Sequence, residues 1–304
     1  MDFSRYGTPS ADWSALVAEN PEAVREGYSG NHLDNAQVLR DVNNKARESL
    51  ADKLMTTTGL RSSVTIETIP VASRDEHTIP VRRYARLGRD TDSCPVLIFF
   101  HGGGFLFGSE TTDDVICATM ALRARVVVLS IIYRHTPAHK HPAQHNDAWD
   151  AYRSILAEPQ TLKVSLKSGV TLMGVSAGAG LAASVVLRDL ACAKSTQGYE
   201  MPIKGVVLSI PWLIHIDNYP LNLFVSPDKA SKIQCTDTAV IPTKRLSLFS
   251  DLLEVEDPTD PVLNTALAPD SSLSGWPKTA FLVAGMDPLR DDGLLFATRL
   301  EKLR

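Results

Sequence analysis

Two kinds of β-rich segment follow a polar N-terminal stretch of the chain. Residues 1 to about 60 are polar, charged and helix-compatible, with weak apolar spacing, which predicts a helical arm. Residues 63–71 and 78–87 are β-rich and are separated by a polar turn, which predicts an antiparallel pair. Apolar runs rich in β-branched residues, which are typical of strands covered by helices on both faces, recur at 95–100, 124–133, 169–175, 204–212 and 278–285.

The later runs are separated by segments long enough for helices. This alternation predicts an α/β protein with a mostly parallel, doubly wound sheet. Between residues 213 and 274 the pattern lapses into a mixed stretch with several prolines and no clear strand. Such a stretch is long for a plain connection, so we interpret 213–274 as an inserted helical cap on a single domain spanning 1–304, with residues 1–60 as part of that cap.

Composition excludes several classes of protein. The 31 basic and 35 acidic residues leave a net charge of -4 without a long basic block, so a nucleic-acid partner is not expected. No apolar run reaches the roughly 20 residues of a membrane span. The N-terminus has no basic start followed by an apolar core, so we expect no secretory signal and a cytoplasmic location. The four scattered cysteines indicate neither a zinc site nor a disulfide framework.

The first motif that carries chemistry is a GxSxG sequence, Gly174-Val175-Ser176-Ala177-Gly178, which follows an apolar run and begins a helix-compatible segment. A sharp strand-to-helix turn exposes such a serine above the sheet, and the flanking glycines are needed because a Cβ would clash. The start of the helix adds free N–H groups that favour an oxyanion. This context predicts Ser176 as a nucleophile; the alternative is a glycine-rich turn that only packs.

The second motif is His101-Gly102-Gly103-Gly104-Phe105, directly after the run 95–100. A glycine-rich loop at this place can turn backbone N–H groups towards the space above the serine. Three glycines could also form a merely flexible loop. Because this motif and the GxSxG each follow their own central strand, we favour an oxyanion loop.

Together with Asp287-Pro288-Leu289-Arg290-Asp291, these motifs resemble those of the hormone-sensitive-lipase-like carboxylesterases over roughly residues 60–304. The resemblance implies an α/β-hydrolase fold, an oxyanion hole formed by the N–H groups of Gly103, Gly104 and Ala177, and no cofactor. It also implies that His101 holds the glycine loop and that Asp287 orients a catalytic histidine. Independently, Asp287 follows an apolar strand, at the edge where α/β sheets assemble their sites, although it could instead cap a helix.

The histidine is the part of the pattern that this sequence does not supply. The family carries it on a loop after a further strand, and no histidine occurs between Asp287 and Arg304. We therefore expect the final strand and the histidine loop to be absent from residues 1–304, as in a truncated form. Recruiting His215, or one of His135, His139, His141 and His145, would need a rearranged site. The prolines around 135–145 and the lack of further ligands predict a solvated loop there and no metal site.

The sequence thus predicts a serine hydrolase for a carboxylic ester, lactone or thioester of a small molecule, with the tailoring of a secondary metabolite as a working context. Without a base, the 304-residue chain is expected to be nearly inert. Two alternatives remain: a non-catalytic small-molecule-binding protein, as plant gibberellin receptors are with this same fold, and an inactive truncated product.

Overall fold

A seven-stranded sheet forms the centre of the molecule in the computed structural model, which describes residues 1–21, 35–88, 91 and 93–303. Its strands are β1 (Val64–Ala72), β2 (Thr78–Arg86), β3 (Val96–Phe100), β4 (Val127–Ile131), β5 (Val170–Val175), β6 (Ile203–Ser209) and β7 (Lys278–Leu282). They lie in the order β1-β2-β4-β3-β5-β6-β7. β2 runs antiparallel to β1 and to β4, and the other pairs are parallel, which confirms the predicted opening pair and the mostly parallel sheet.

The described helices lie mainly between the strands. They are α1 (Ala11–Glu19), α2 (Ala36–Thr57), α3 (Asp114–Arg123), α4 (Ala143–Ala157), α5 (Ala177–Ser195), α6 (Ser231–Gln234), α7 (Thr243–Leu252), α8 (Asp270–Leu273) and α9 (Arg290–Lys302). Within the described part of the chain, none of them combines the length and the apolar character that crossing a bilayer requires.

Two predicted segments coincide with helices. α1 and α2 belong to the stretch for which an arm is predicted, of which residues 22–34 lie outside the described residues. The stretch 213–274, every residue of which is described, holds α6, α7, α8 and single turns of 3-10 helix, and no strand. Its role as a cap stays a prediction.

Both faces of the sheet are covered, which explains the continuous apolar runs. In β3, Val96, Ile98 and Phe100 belong to one core cluster, shared with α4 and α5. The alternate residues Leu97 and Phe99 belong to a second cluster, shared with α2 and α3. Every β3 side chain is buried, so no position of this strand needs a polar residue.

Strand ends differ from the apolar runs. The run 204–212 predicts a strand as far as Trp212, whereas β6 ends at Ser209. Ile210 has a φ of 41°, which is strained for a β-branched residue and turns the chain out of the strand before Pro211. The run continues past the strand because Trp212 and Leu213 are buried in the core by tertiary packing. Similarly, β7 ends at Leu282 and not at 285.

Candidate active site

Ser176 occupies the turn between β5 and α5, with φ 54° and ψ -119°. Its backbone N–H donates to Ser209 O at 2.8 Å, which ties the turn to the end of β6. A Cβ on Gly174 would overlap the carbonyl of Gly178, and a Cβ on Gly178 would overlap the carbonyl of Phe100. Both glycines of the motif are therefore required by backbone contacts, as expected of a nucleophile elbow.

The glycine loop is closed on itself. Gly103 and Gly104 have φ values of 135° and 61°, in the region that favours glycine. The N–H of Phe107 donates to Gly103 O at 2.8 Å. A Cβ on Gly103 would overlap Phe107 O, and one on Gly104 would overlap the ring of Phe249 from α7. Gly103 and Gly104 thus hold a backbone conformation that other residues could not adopt without strain.

The loop and the elbow are in backbone contact. A Cβ on Gly102 would lie 2.9 Å from the carbonyl oxygen of Val175, which is the residue before Ser176. On the other side of Ser176, Gly178 approaches the carbonyls of Phe100 and His101 at the start of the loop. The structure therefore brings the two motifs together around Ser176, at the carboxyl ends of β3 and β5.

His101 supports the loop from below. Its ring stacks on Tyr133 at a centroid distance of 4.3 Å and on His135 at 5.1 Å, and its Nδ1 lies 3.0 Å from Gly102 O. The Tyr133 hydroxyl donates to His101 O at 2.8 Å. Complete burial lowers the pKa of His101, so the ring is neutral at pH 7.

Asp287 follows β7 at the same edge of the sheet. Its Oδ1 accepts a 2.7 Å bond from the N–H of Leu289, and burial raises its pKa. Asp287 lines a cavity of about 260 Å³, whose other walls are Trp13 of α1, apolar residues of the sheet edge and the connection between α6 and α7. The N–H of Ile210 donates to Leu282 O at 2.7 Å, so the elbow, β6 and the acid loop form a continuous backbone unit.

The segment after Asp287 is held by α6, which sequence reasoning missed. Ser231 Oγ and Lys232 Nζ donate to Pro288 O at 2.8 and 3.0 Å. Lys232 also pairs with the buried Asp292 at 3.0 Å. The run Arg290-Asp291-Asp292 at the start of α9 was the available signal, since charged residues in a row need partners when they are buried.

The described histidines near the cap do not reach the serine. His215 Nε2 lies 2.8 Å from Ser250 Oγ, and His141 Nε2 lies 3.0 Å from Asp260. His135 Nδ1 lies 3.2 Å from a guanidinium nitrogen of Arg40. Within the described ranges, no histidine nitrogen hydrogen-bonds to Ser176 Oγ; His32 lies outside them.

The predicted solvated loop over 135–145 is wrong in part. His139 is exposed, whereas His135 and His145 are buried at 4% and 1% exposure. His135 is buried because it stacks on His101, and His145 because it begins α4 with its ring against Phe105 at 5.5 Å. Burial lowers the pKa of both rings.

Residues 97–304 match a family described as alpha/beta hydrolase fold. Esterase LipI of Mycobacterium tuberculosis is 30% identical over 212 residues, which cover 69% of this chain and 61% of LipI. The chain thus spans less than two thirds of that relative. Versiconal hemiacetal acetate esterase of Dothistroma septosporum is 28% identical over 236 residues, covering 78% of this chain and 69% of that protein.

The fold also matches solved structures. The crystal structure of vibralactone cyclase superposes with a TM-score of 0.82 at 21% identity, over 98% of this chain and 84% of that one. At this identity the likeness concerns the fold alone. Since the family match covers the glycine loop, the elbow and the acid loop in one continuous alignment, the chain belongs to the hormone-sensitive-lipase-like carboxylesterase family of α/β-hydrolases.

Proposed function

We propose that this protein is a serine hydrolase that acts on a carboxylic ester, lactone or thioester of a small molecule. The observation that carries the proposal is the backbone contact between the Ser176 elbow and the glycine loop, on both sides of the serine. A turn that only packs has no need of a second glycine-only loop pressed against it. A nucleophile does, because the negative charge that develops on the substrate must meet ordered N–H donors.

In the proposed reaction, Ser176 Oγ forms a bond to the carbonyl carbon and its proton passes to a base. The N–H groups of Gly103, Gly104 and Ala177 hold the oxyanion, and losing one such donor typically costs about 3–4 kcal/mol of transition-state stabilisation. The bond to the alcohol or thiol then breaks, and the base returns the proton to the leaving group. Water attacks the acyl-serine in the same way, releasing the acid and restoring Ser176.

The base is the role in this proposal that no described histidine fills by a hydrogen bond to Ser176. His215 hydrogen-bonds to Ser250 and His141 to Asp260. The ring of His135 packs against that of Tyr133. We propose that a histidine segment pairs along the edge of β7 that faces away from β6, and that Asp287 orients its ring. Among the described strands, β7 pairs with β6 alone, and its residues alternate between exposed and half-buried.

Ser176 does not line the cavity beside Asp287, so we propose that this cavity extends the site on the side of the acid and accepts an uncharged, largely apolar part of the substrate. Its lining consists of Trp13, Ile210, Thr238, Ala239, Val240, Ile241, Ala284, Met286, Asp287 and Pro288, in which one carboxylate is the charged group. An anionic substrate would meet that carboxylate in a poorly solvated place. One relative is named for a hemiacetal acetate, so acetates of small molecules, including secondary metabolites, are the first substrates to test.

A second candidate function is binding without turnover. The observation that favours it is an apolar cavity present in a chain whose described histidines make no hydrogen bond to Ser176. Binding needs the cavity and does not need a base. The two candidates differ in whether Ser176 accepts an acyl group from a bound ester.

The decisive experiment incubates the chain with a 4-nitrophenyl phosphonate and, separately, with 4-nitrophenyl acetate and butyrate. We expect stoichiometric phosphonylation of Ser176, located by peptide mass spectrometry, in the wild type and in Ser184→Ala, a buried serine of the same helix. Ser176→Ala should stay unlabelled. Labelling that persists in Ser176→Ala, or a wild type that is never labelled, would refute the nucleophile. Acylation of Ser176 by either ester would favour the hydrolase, and ester binding without acylation of Ser176 would favour the binder.

A further inference from the structure

A stripe of polar side chains on α2 lies against the glycine loop and the segment that follows it. Arg40, Asn44, Arg47 and Glu48 are spaced by four, three and one residues, so they share one face of the helix. Their partners are His135, Gly108, Asp113 and Ser109, in that order. The helix of the predicted arm is therefore docked on this loop by hydrogen bonds, which accounts for its weak apolar spacing.

Asn44 makes the buried contact of this stripe. Its Nδ2 donates to Gly108 O at 2.9 Å, and its Oδ1 accepts from Gly108 N–H at 2.9 Å. Asn44 is 9% exposed, so water does not replace these bonds easily if the side chain is lost. Both backbone groups of one loop residue are thus fixed by one side chain from a helix that lies 64 positions earlier in the sequence.

Gly108 in turn contacts the start of the loop. Its φ is 127°, and a Cβ at this position would overlap the ring of His101. The ring of His101 is the support of Gly102 through Nδ1. Between these two residues the loop is closed by the bond from Phe107 N–H to Gly103 O. Because Gly108 lies against the His101 ring and Phe107 is bonded to Gly103, a displacement of Gly108 should also displace Gly103 and Gly104.

We propose that Asn44 is a positioning residue for the glycine loop, acting through Gly108 and His101 on the N–H groups of Gly103 and Gly104. This inference rests on the proposed function of those groups as oxyanion donors. Donors aimed at a transition state must be held in place before the reaction, because a loose donor loses most of its effect. Asn44 should therefore influence the rate of reaction at Ser176 and leave ground-state binding of the reagent unchanged.

The test measures the inactivation constants of the 4-nitrophenyl phosphonate, kinact and KI, in Asn44→Ala, Asn44→Asp and the matched variant Lys45→Ala. Lys45 is the next residue of the same helix and its side chain is exposed. We expect kinact to fall tenfold or more in Asn44→Ala with KI within a factor of two. Asn44→Asp keeps the acceptor for Gly108 N–H and loses the donor, so its kinact should be intermediate. Lys45→Ala should match the wild type.

The fraction of chains labelled at completion separates positioning from folding. A residue with a purely structural role would lower this fraction without changing kinact of the folded chains. The inference is overturned if kinact of both Asn44 variants equals that of the wild type, or if only the labelled fraction falls. Failure of the proposed function has a different result, since the wild type itself would then remain unlabelled or Ser176→Ala would be labelled.

Discussion

At the residue scale, Gly104 is the glycine of the loop whose replacement meets another element. Its φ is 61°, and a Cβ would overlap the ring of Phe249, which is itself packed edge-on against Phe107 at 5.5 Å. Gly198, with a φ of 77°, has nothing within 4 Å of such a Cβ. Alanine substitutions at Gly198 and Gly104 therefore separate the free-energy cost of the backbone conformation from the cost of steric crowding.

We expect Gly198→Ala to lower the free energy of unfolding by about 1–2 kcal/mol, the cost of a left-handed non-glycine residue. Gly104→Ala should cost a further ~1–3 kcal/mol from overpacking against Phe249. Urea unfolding of both variants measures this difference. The ring is absent from a Phe249→Ala background, so Gly104→Ala should cost less unfolding free energy there than in the wild type. Equal losses of unfolding free energy for Gly198→Ala and Gly104→Ala would contradict the packing described for Phe249.

Lys232 is the buried cation of the acid loop. It pairs with Asp292, whose pKa is raised by burial to about 6 although Lys232 lowers it. We expect Lys232→Met to cost about 3–5 kcal/mol of unfolding free energy, because it leaves a buried carboxylate without its partner. Lys229→Met, at a half-exposed lysine two positions before α6, should change stability by about 0.5 kcal/mol or less.

The loss of unfolding free energy in Lys232→Met should depend on pH. The pKa of Asp292 is higher in the folded than in the unfolded state, so the folded protein binds this proton more tightly and loses stability as pH rises through that interval. Without Lys232 the folded-state pKa moves higher still. The destabilisation should therefore be smaller at about pH 5 than at about pH 7.5. Urea unfolding at both values checks the sign, and Lys232→Met/Asp292→Asn should abolish the pH dependence.

At the scale of elements, β7 presents an edge to solvent in the described structure. Leu282 is 51% exposed at its end, and the strand has no Pro and no inward charge to discourage pairing with another chain. We expect the chain to self-associate as its concentration rises, and Leu282→Lys to reduce this association. Sedimentation velocity over a concentration series is the measurement.

The control for this edge is Leu303→Lys, which places the same charge at a 39%-exposed leucine after α9. It should leave the association unchanged. If both substitutions act equally, net charge and not the strand edge governs the association.

At the scale of the whole molecule, the cavity beside Asp287 is assembled from three distant parts of the chain. Trp13 comes from α1, Val240 and Ile241 from the connection between α6 and α7, and Ala284 and Met286 from the end of the sheet. No part forms the cavity alone. A substitution that narrows the cavity should therefore change which ligands bind, whichever of the three parts carries it.

We expect Ala284→Phe to raise the Kd for a butyrate ester by about tenfold or more, since the larger side chain occupies space that the ligand needs. Ala284 is exposed, so stability should change little. The change in Trp13 fluorescence on binding provides the titration, and Trp13→Phe should remove that signal. Ala191→Phe, at an exposed alanine of α5 away from the cavity, should bind like the wild type. Equal affinities for the Ala284 and Ala191 variants would place the ligand elsewhere.

The sequence by itself determined the features whose physical cause is local. β3 is an unbroken apolar run because both of its faces are buried. The elbow and the glycine loop can be recognised in the sequence because backbone crowding requires glycine at those positions. The fold, the family and the placement of Asp287 after a strand followed from these signals. What composition and spacing could not convey is which distant residue meets which.

Tertiary structure alone decided the supports of the site. Asn44 is bonded to Gly108 and Lys232 to Asp292 across 64 and 60 positions, and a polar side chain on a helix looks the same in sequence whether it meets water or a loop. His135 and His145 are buried by ring stacking and by the start of a helix, which no local pattern reveals. Long-range hydrogen bonds and burial arise only when the elements pack, because their partners are chosen by three-dimensional proximity and not by position along the chain.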